Sequence, residues 1–504
     1  MPLPLPAENR DPLSAATPRA SVPWLLAGLA AWLLATLGLR PLLLPDEGRY
    51  ADVARAMLHA DPWVPTLNGL PFFHKPPLFY WLDMGAMALA GSNEFTARIA
   101  SAMGAWLMGG CLLLAWRRWH GELTGARTLV VLATTPFFFF GAQYANHDML
   151  VAGLITAAVF AWLRALDGPG AVALRWLVGG WILCALALLA KGLIGVVLPV
   201  LILGPWLAVQ GRWHALRQLV HPVGLLAFAV VCGPWLGVMQ WRYPGFFDYF
   251  IVEQHFRRYA QSNFNNVHGA WFFLAAVPLL TLPWSGWVRS AVRRAWAERG
   301  ALPGLYAWWV VAVVGFFSIP SAKLVGYVLP ALAPWCALLS LGMSAQRRAL
   351  CRSLACGAAL VCLAGVAALA WKAPQSNRDL ARALAGRYAP QDRIVMVDEY
   401  LYDVPFYARL VQPVLVASDW TDPELPTHDN WRKELFDAAR FDPARGRELL
   451  VPLSGLERLS CGAHTTWYIA SAEHDARLGA LPAAQRVFAD ARQRLWRVPE
   501  RGCA

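Results

Sequence analysis

Charge is what this 504-residue sequence has least of. Only 15% of its residues are Asp, Glu, Lys or Arg, against 57% hydrophobic, where a soluble domain carries roughly 25% charged residues. That deficit excludes an ordinary soluble enzyme. The apolar residues recur in blocks near the roughly 20 residues that cross a bilayer as helix, which implies a polytopic helical membrane protein. Other absences narrow the function. The nine cysteines show no CxxC pair and no Cys/His spacing of a structural zinc site. No ordered basic–aromatic array of the kind that holds single-stranded nucleic acid is present. The net charge of +12 therefore reads as loop arginines that orient a membrane protein, not as a nucleic-acid signature. No convincing internal repeat appears, which argues against a transporter built from duplicated halves.

What is present begins with topology. Residues 1–20 are polar and proline-containing and are expected to be a disordered cytoplasmic N-terminus. The run from Val22 to Leu44 is too long for the core of a cleaved signal and is expected to be a first transmembrane helix. Ten further apolar blocks follow, from Phe95–Trp116 to Leu354–Trp371. Arginines gather in alternate loops: Arg117 and Arg118, Arg164 and Arg175, Arg212 and Arg217, Arg289 to Arg299, then Arg347 to Arg352. The positive-inside rule makes those loops cytoplasmic. Eleven crossings are expected, within a range of 11–13, with loops 45–94 and 242–269 on the outer side. Tryptophan, with 26 residues, clusters at block ends as an interfacial belt does. Pro77–Ala90 is short and starts on two prolines, so it is expected to be a re-entrant or interfacial helix.

The tail, 372–504, has soluble composition and is expected to be a small α/β domain outside the membrane. "RIVMV", "VLVAS", "WYIA" and "LWRV" predict strands, while "SNRDLARALAGRY" and "PAAQRVFADAR" predict helices. Seven cysteines lie in or beside apolar blocks. Cys461 and Cys503 lie in the tail, where an oxidising compartment would allow them to form a disulfide.

This topology places a scattered set of polar residues on one membrane face. Asp46, Glu47 and Asp148 are the carboxylates; Arg49, Lys75, Lys191, Arg257, Arg258 and Lys323 are the cations; His255 and Tyr327 are among the hydrogen-bonding groups. Charges beside a bilayer are costly unless solvated, paired or used. Singly each has a plain explanation: Asp46 and Asp148 could cap helices, Lys75 could snorkel, and Arg257 and Arg258 could hold any lipid headgroup. Together they suit transfer of a lipid-linked sugar, in which cations neutralise a departing phosphate and a carboxylate orients or deprotonates an acceptor.

The stretch "PDEGRYADVARAML…DPWVPTLNGLPFFHKPPLFYWL" resembles the first external loop of the lipid A aminoarabinose transferases. These are membrane glycosyltransferases of the GT-C superfamily, related to the dolichyl-phosphate-mannose protein mannosyltransferases. "NHDML", "KGLIGVVLP", "EQHFRRY" and "SAKLVGYVLP" continue the resemblance across most of residues 23–345. The resemblance implies an all-α GT-C membrane domain over 21–371. It also implies a sugar donor carried on undecaprenyl or another polyprenyl phosphate, and a lipid A phosphate as acceptor at the periplasmic face of the bacterial inner membrane. Asp46 matches the principal catalytic carboxylate, with Glu47 beside it, and Asp148 the second acidic position. Arg49, Lys75 and Arg258 match cations for the lipid phosphate, with Lys191, Lys323 and Tyr327 toward the same cavity. The donor is already activated, so no nucleotide sugar or cofactor is required, although His255 leaves a divalent metal possible. Transfer is expected to invert the anomeric centre. Aminoarabinose, glucosamine, galactosamine and mannose all remain open as the sugar. A protein or polysaccharide acceptor, or a lipid-linked-sugar flippase, are the alternatives.

Overall fold

A computed structural model describes residues 21–257, 266–343, 348–372, 376–427 and 429–500. The chain divides into two compact units. The described residues up to Leu39, those from Arg98 to residue 257 and those from Asn266 to Trp371 form the first; Arg40–Ala97 and the described residues from Lys372 onward form the second. The first external loop thus groups with the soluble tail.

The first unit is helical. Six helical segments have the length and apolarity to cross a membrane: Thr96–His120, His147–Asp167, Gly170–Lys191, Trp213–Arg242, Val325–Gly342 and Ala349–Lys372. Two more spans are broken pairs, Thr124–Ala133 with Pro136–Ala142 and Trp284–Ala297 with Leu302–Ser318, bent by 66° and 117°. Length and composition therefore give six to eight spans among the described residues, and the remaining expected crossings coincide with shorter helices. The first expected span is helical only over Val22–Leu34. The expected block 270–288 is broken: Phe272–Leu280 is helical, and a second helical segment starts at Trp284 beyond Pro283, which has no amide to continue the first helix. Small residues let the spans approach closely, as lipid-embedded helices require. A Cβ at Gly153 would lie 2.1 Å from the Gly104 carbonyl oxygen, and one at Gly180 would lie 2.2 Å from the Trp162 ring.

In the second unit, the Asp46–His59 helix buries Tyr50, Ala51, Val53, Ala54 and Met57. Its neighbour is the Leu78–Ala90 helix, whose Phe79 and Tyr80 rings lie 6.1 and 6.2 Å from Tyr50. Between the two helices, β1 (Thr66–Leu67) and β2 (Leu70–Pro71) pair antiparallel around Asn68-Gly69. Both turn residues have positive φ, 52° and 74°, which Asn-Gly supplies at little cost. The tail contributes a six-stranded sheet made of β3 (Arg393–Val397), β4 (Leu415–Ser418), β5 (Leu450–Pro452), β6 (Thr466–Ser471), β7 (Gln485–Ala489) and β8 (Gln493–Val498). Its order is β5-β4-β3-β6-β8-β7. The first four positions are parallel, and β8 and β7 are antiparallel additions. Val395, Val397, Tyr468, Ala470 and Trp496 form its core.

One element departs from expectation. "PAAQRVFADAR" forms β7 and not a helix. The Ala, Gln and Arg content favours helix, but Ala483 turns the chain at φ 60° and pairing with β8 overrides the local preference. Of the cysteines, Cys461 is disulfide-bonded; its expected partner Cys503 lies outside the described residues.

Candidate functional site

The second unit builds its polar cluster on the first turn of the Asp46–His59 helix. Pro45 occupies the N-cap position, so Asp46 does not cap the helix as expected. Its carboxylate instead pairs with Arg49, one turn further along. The other arm of the Arg49 guanidinium pairs with Glu434 from the Trp431–Ala439 helix. The Tyr402 hydroxyl donates to the second Glu434 oxygen at 2.6 Å. The guanidinium also lies 4.9 Å from the Tyr50 ring centre and 5.4 Å from that of Tyr402. Burial pushes the Glu434 carboxyl above the usual range, and the neighbouring Arg49 charge and Tyr402 hydrogen bond pull the other way. The Asp46 side chain is 24% exposed and that of Glu434 only 8%, so Asp46 is the carboxylate that a solute can reach.

Glu47 is expected beside Asp46 as a second working carboxylate, and the structure assigns it elsewhere. Its side chain is fully buried. It receives both arms of Arg40, at 2.5 and 3.2 Å, and the Leu43 amide at 2.8 Å. It locks the entry to the helix. Asp52 and Arg55 form a second buried pair, and Arg55 donates to the Leu410 carbonyl at 2.7 Å. Lys75 is partly buried and donates to the His74 carbonyl at 3.0 Å.

The first unit builds a separate cluster. Asn146, not Asp148, caps the His147–Asp167 helix by accepting from the Asp148 amide at 3.1 Å. That leaves the Asp148 carboxylate to pair with Lys191. The Lys191 ammonium sits 5.0 Å above the Tyr327 ring. Gly326 packs directly on Asp148, where a Cβ would lie 2.4 Å from a carboxylate oxygen. Four separated motifs meet here, because His255 also accepts from the Leu193 amide at 3.1 Å. The His255 ring closes its other side on the Phe250 carbonyl at 2.6 Å. Both nitrogens are thus engaged by backbone, which does not suit the divalent metal left open from sequence. The described residues hold no group of three or more His, Cys, Asp or Glu suited to a metal. Lys323 is buried and donates to the carbonyls of His268 and Pro320, so its charge is engaged by backbone of its own loop and of the segment that precedes Phe272. Arg258 lies outside the described residues; its neighbour Arg257 pairs with Glu253 at 3.6 Å.

Glu434 and Tyr402 are the residues that sequence reasoning missed. They lie in a tail without a transferable motif, and only the fold brings them to Arg49.

The family model for dolichyl-phosphate-mannose-protein mannosyltransferase matches residues 36–250. In fold, the chain is similar to ArnT from Cupriavidus metallidurans solved with undecaprenyl phosphate, at TM-score 0.84 and 23% identity over 95% of this chain and 98% of that one. It shares the fold more distantly with the archaeal oligosaccharyltransferase AglB from Archaeoglobus fulgidus, at TM-score 0.54 and 14% identity over 90% and 70% of the two chains. Both likenesses fit the expected GT-C architecture of a multi-pass membrane protein. In sequence, the chain is 30% identical to the undecaprenyl phosphate-alpha-4-amino-4-deoxy-L-arabinose arabinosyl transferase of Pseudomonas aeruginosa, over 95% of this chain and 91% of the relative. Because that similarity runs nearly end to end in both proteins, the chain belongs to the undecaprenyl phosphate-aminoarabinose arabinosyl transferase family.

Proposed function

We propose that this protein is a membrane glycosyltransferase that moves 4-amino-4-deoxy-L-arabinose from undecaprenyl phosphate to a phosphate of lipid A. It works at the periplasmic face of the bacterial inner membrane. The observation that carries this reading is the near full-length similarity to arabinosyl transferases, within which Asp46 keeps an accessible carboxylate one turn from Arg49.

A lipid A phosphate oxygen attacks the anomeric carbon as the bond to undecaprenyl phosphate breaks, and the departing phosphate keeps the electron pair. One glycosidic bond is exchanged for another, with inversion. The acceptor is already an anion, so Asp46 has little deprotonation to do. Its role is to orient the acceptor and balance positive charge that develops on the sugar. We assign Arg49 and Lys75 to charge neutralisation around the phosphates, and we carry Lys191 with Asp148, Tyr327 and Arg258 as assignments to the donor. Lys191 is a compact, strongly hydrated cation on a flexible stem, and Asp148 restrains it.

Mass spectrometry of lipid A from cells with and without the gene tests the reading. An added aminopentose on lipid A phosphate that disappears with the gene is expected. Unchanged lipid A, or an added hexosamine, would overturn the substrate assignment. In membranes, Asp46→Asn is expected to lower sugar transfer by about 100-fold or more, within the range lost when one electrostatic group of a transition state is removed. Normal transfer by that variant would remove Asp46 from the mechanism.

A further inference from the structure

We propose that His255 is a positioning residue for Lys191. It is built into the turn that sets the lysine's backbone, and it acts as a neutral imidazole and not as a metal ligand. The inference rests on the reading of Lys191 as a donor-phosphate cation.

The Gly170–Lys191 helix ends at the lysine itself. Gly192 follows with φ 90°, and its amide returns to the Leu188 carbonyl at 2.7 Å. This positive-φ ending is the one glycine accepts most readily. The next amide, Leu193, has turned out of the helix and donates to His255 Nε2 at 3.1 Å. A nitrogen that accepts carries no proton, so the ring proton sits on Nδ1. Nδ1 lies 2.6 Å from the Phe250 carbonyl oxygen, to which it donates. One neutral tautomer therefore satisfies both contacts, and the Phe250 ring adds an edge contact at 5.0 Å.

The fit between ring and turn is tight. A Cβ on Gly192 would lie 2.0 Å from His255 Nε2. The glycine is thus required twice, once for its φ and once because the imidazole occupies the space that a side chain would need. The turn and the ring hold each other, and the Lys191 backbone is the last helical residue before them. From that anchor the lysine reaches Asp148 and lies 5.0 Å from the Tyr327 ring centre. Removing the ring leaves the Leu193 amide without its acceptor and frees Gly192 to move. The lysine stem then loses its fixed origin, and its charge is no longer held where a donor phosphate would meet it.

The full-length protein in nanodiscs, assayed with an undecaprenyl-phosphate-linked aminopentose donor and lipid A acceptor, tests this. Four variants decide it: Lys191→Met, His255→Ala, His255→Gln and Gly192→Ala. Lys191→Met should raise the KM for donor at least tenfold. His255→Ala should reproduce most of that rise with a smaller change in kcat, the split expected when binding of the phosphate is lost. His255→Gln can place a side-chain oxygen near the former Nε2 and should recover most donor affinity. Gly192→Ala should behave like His255→Ala. Thermal melting of the His255 variants close to wild type separates positioning from global unfolding. Equal impairment of His255→Ala and His255→Gln, or wild-type donor KM in both, would overturn the inference while Lys191→Met remained defective. Stoichiometric zinc in the wild type that is lost in His255→Ala would also overturn it. Full activity in Lys191→Met would instead sink the reading of Lys191 on which the inference stands.

Discussion

Arg49 carries one positive charge between two carboxylates, and only one of them faces solvent. Glu434 is buried and committed to Arg49 and Tyr402, so it fixes the guanidinium that in turn orients Asp46. Truncating Glu434 leaves Arg49 with Asp46 as its remaining carboxylate and the buried Tyr402 hydroxyl without its acceptor, a cost of roughly 1–3 kcal/mol. Glu434→Ala should therefore lower the melting temperature and abolish transfer, and Glu434→Gln should be milder because its amide oxygen still accepts from Arg49. Equal melting of wild type and Glu434→Ala would refute this role. Glu399 offers a pH test. Burial raises its carboxyl from the ordinary 4.5 to about 7, against a hydrogen bond from Gln493 and the pull of Arg492. The folded state thus holds the proton more tightly than the unfolded chain. The stability this adds is complete below about pH 4.5 and is lost as pH rises through about 7. Glu399→Gln should melt higher than wild type at pH 8, by an amount on the order of 2 kcal/mol, and close to wild type at pH 5. The site was only partly legible at this scale. Asp46, Arg49 and Lys75 stand out because charges beside apolar blocks need a reason. Glu434 does not, because its partner is 385 positions away and nothing local distinguishes it from a solvated tail glutamate.

At the scale of elements, the membrane helices depend on small residues at their crossings. Gly104 and Gly153 let two spans touch backbone to backbone. Gly153→Ala should separate them and reduce the yield of folded protein in detergent, measured by size-exclusion chromatography; an undiminished monodisperse peak would show that the crossing can relax. Gly326→Ala tests a different contact. Its new methyl would meet the Asp148 carboxylate and should impair transfer with a smaller effect on yield. The sequence was most readable where hydrophobicity alone decides the element, so most apolar blocks became helices and the strands "RIVMV" and "WYIA" formed as expected. It misled where a distant partner decides. Residues 485–489 have helix-forming composition but are claimed by β8. Expected spans also proved short where prolines end them, as in Phe272–Leu280.

For the molecule as a whole, the proposed function is a change in surface charge. An aminopentose on a lipid A phosphate adds a cation beside an anion, so cationic peptides should bind the cell surface less well. Deleting the gene should sensitise cells to polymyxin under conditions that induce lipid A modification, and complementation with Asp46→Asn should not restore resistance. Unchanged sensitivity would contradict the proposed acceptor. One feature of the fold also bears on biogenesis. The loop from Arg40 to Ala97 shares its compact unit with the tail. Tyr407 holds the Leu42 amide, the Leu410 carbonyl holds Arg55, and Asn68 exchanges two hydrogen bonds with Val414. At roughly 5–20 residues per second, the ribosome has finished the loop on the order of 15–70 s before Glu434 exists to complete it. The nascent chain must carry an unfinished acidic loop through the synthesis of the apolar helices that follow it, and the Asp46–Arg49 cluster gains Tyr402 and Glu434 only when the tail folds. The tail then works as a late assembly step, so a nonsense mutation soon after Lys372 would leave the described apolar helices in the chain and the Asp46 loop without its frame.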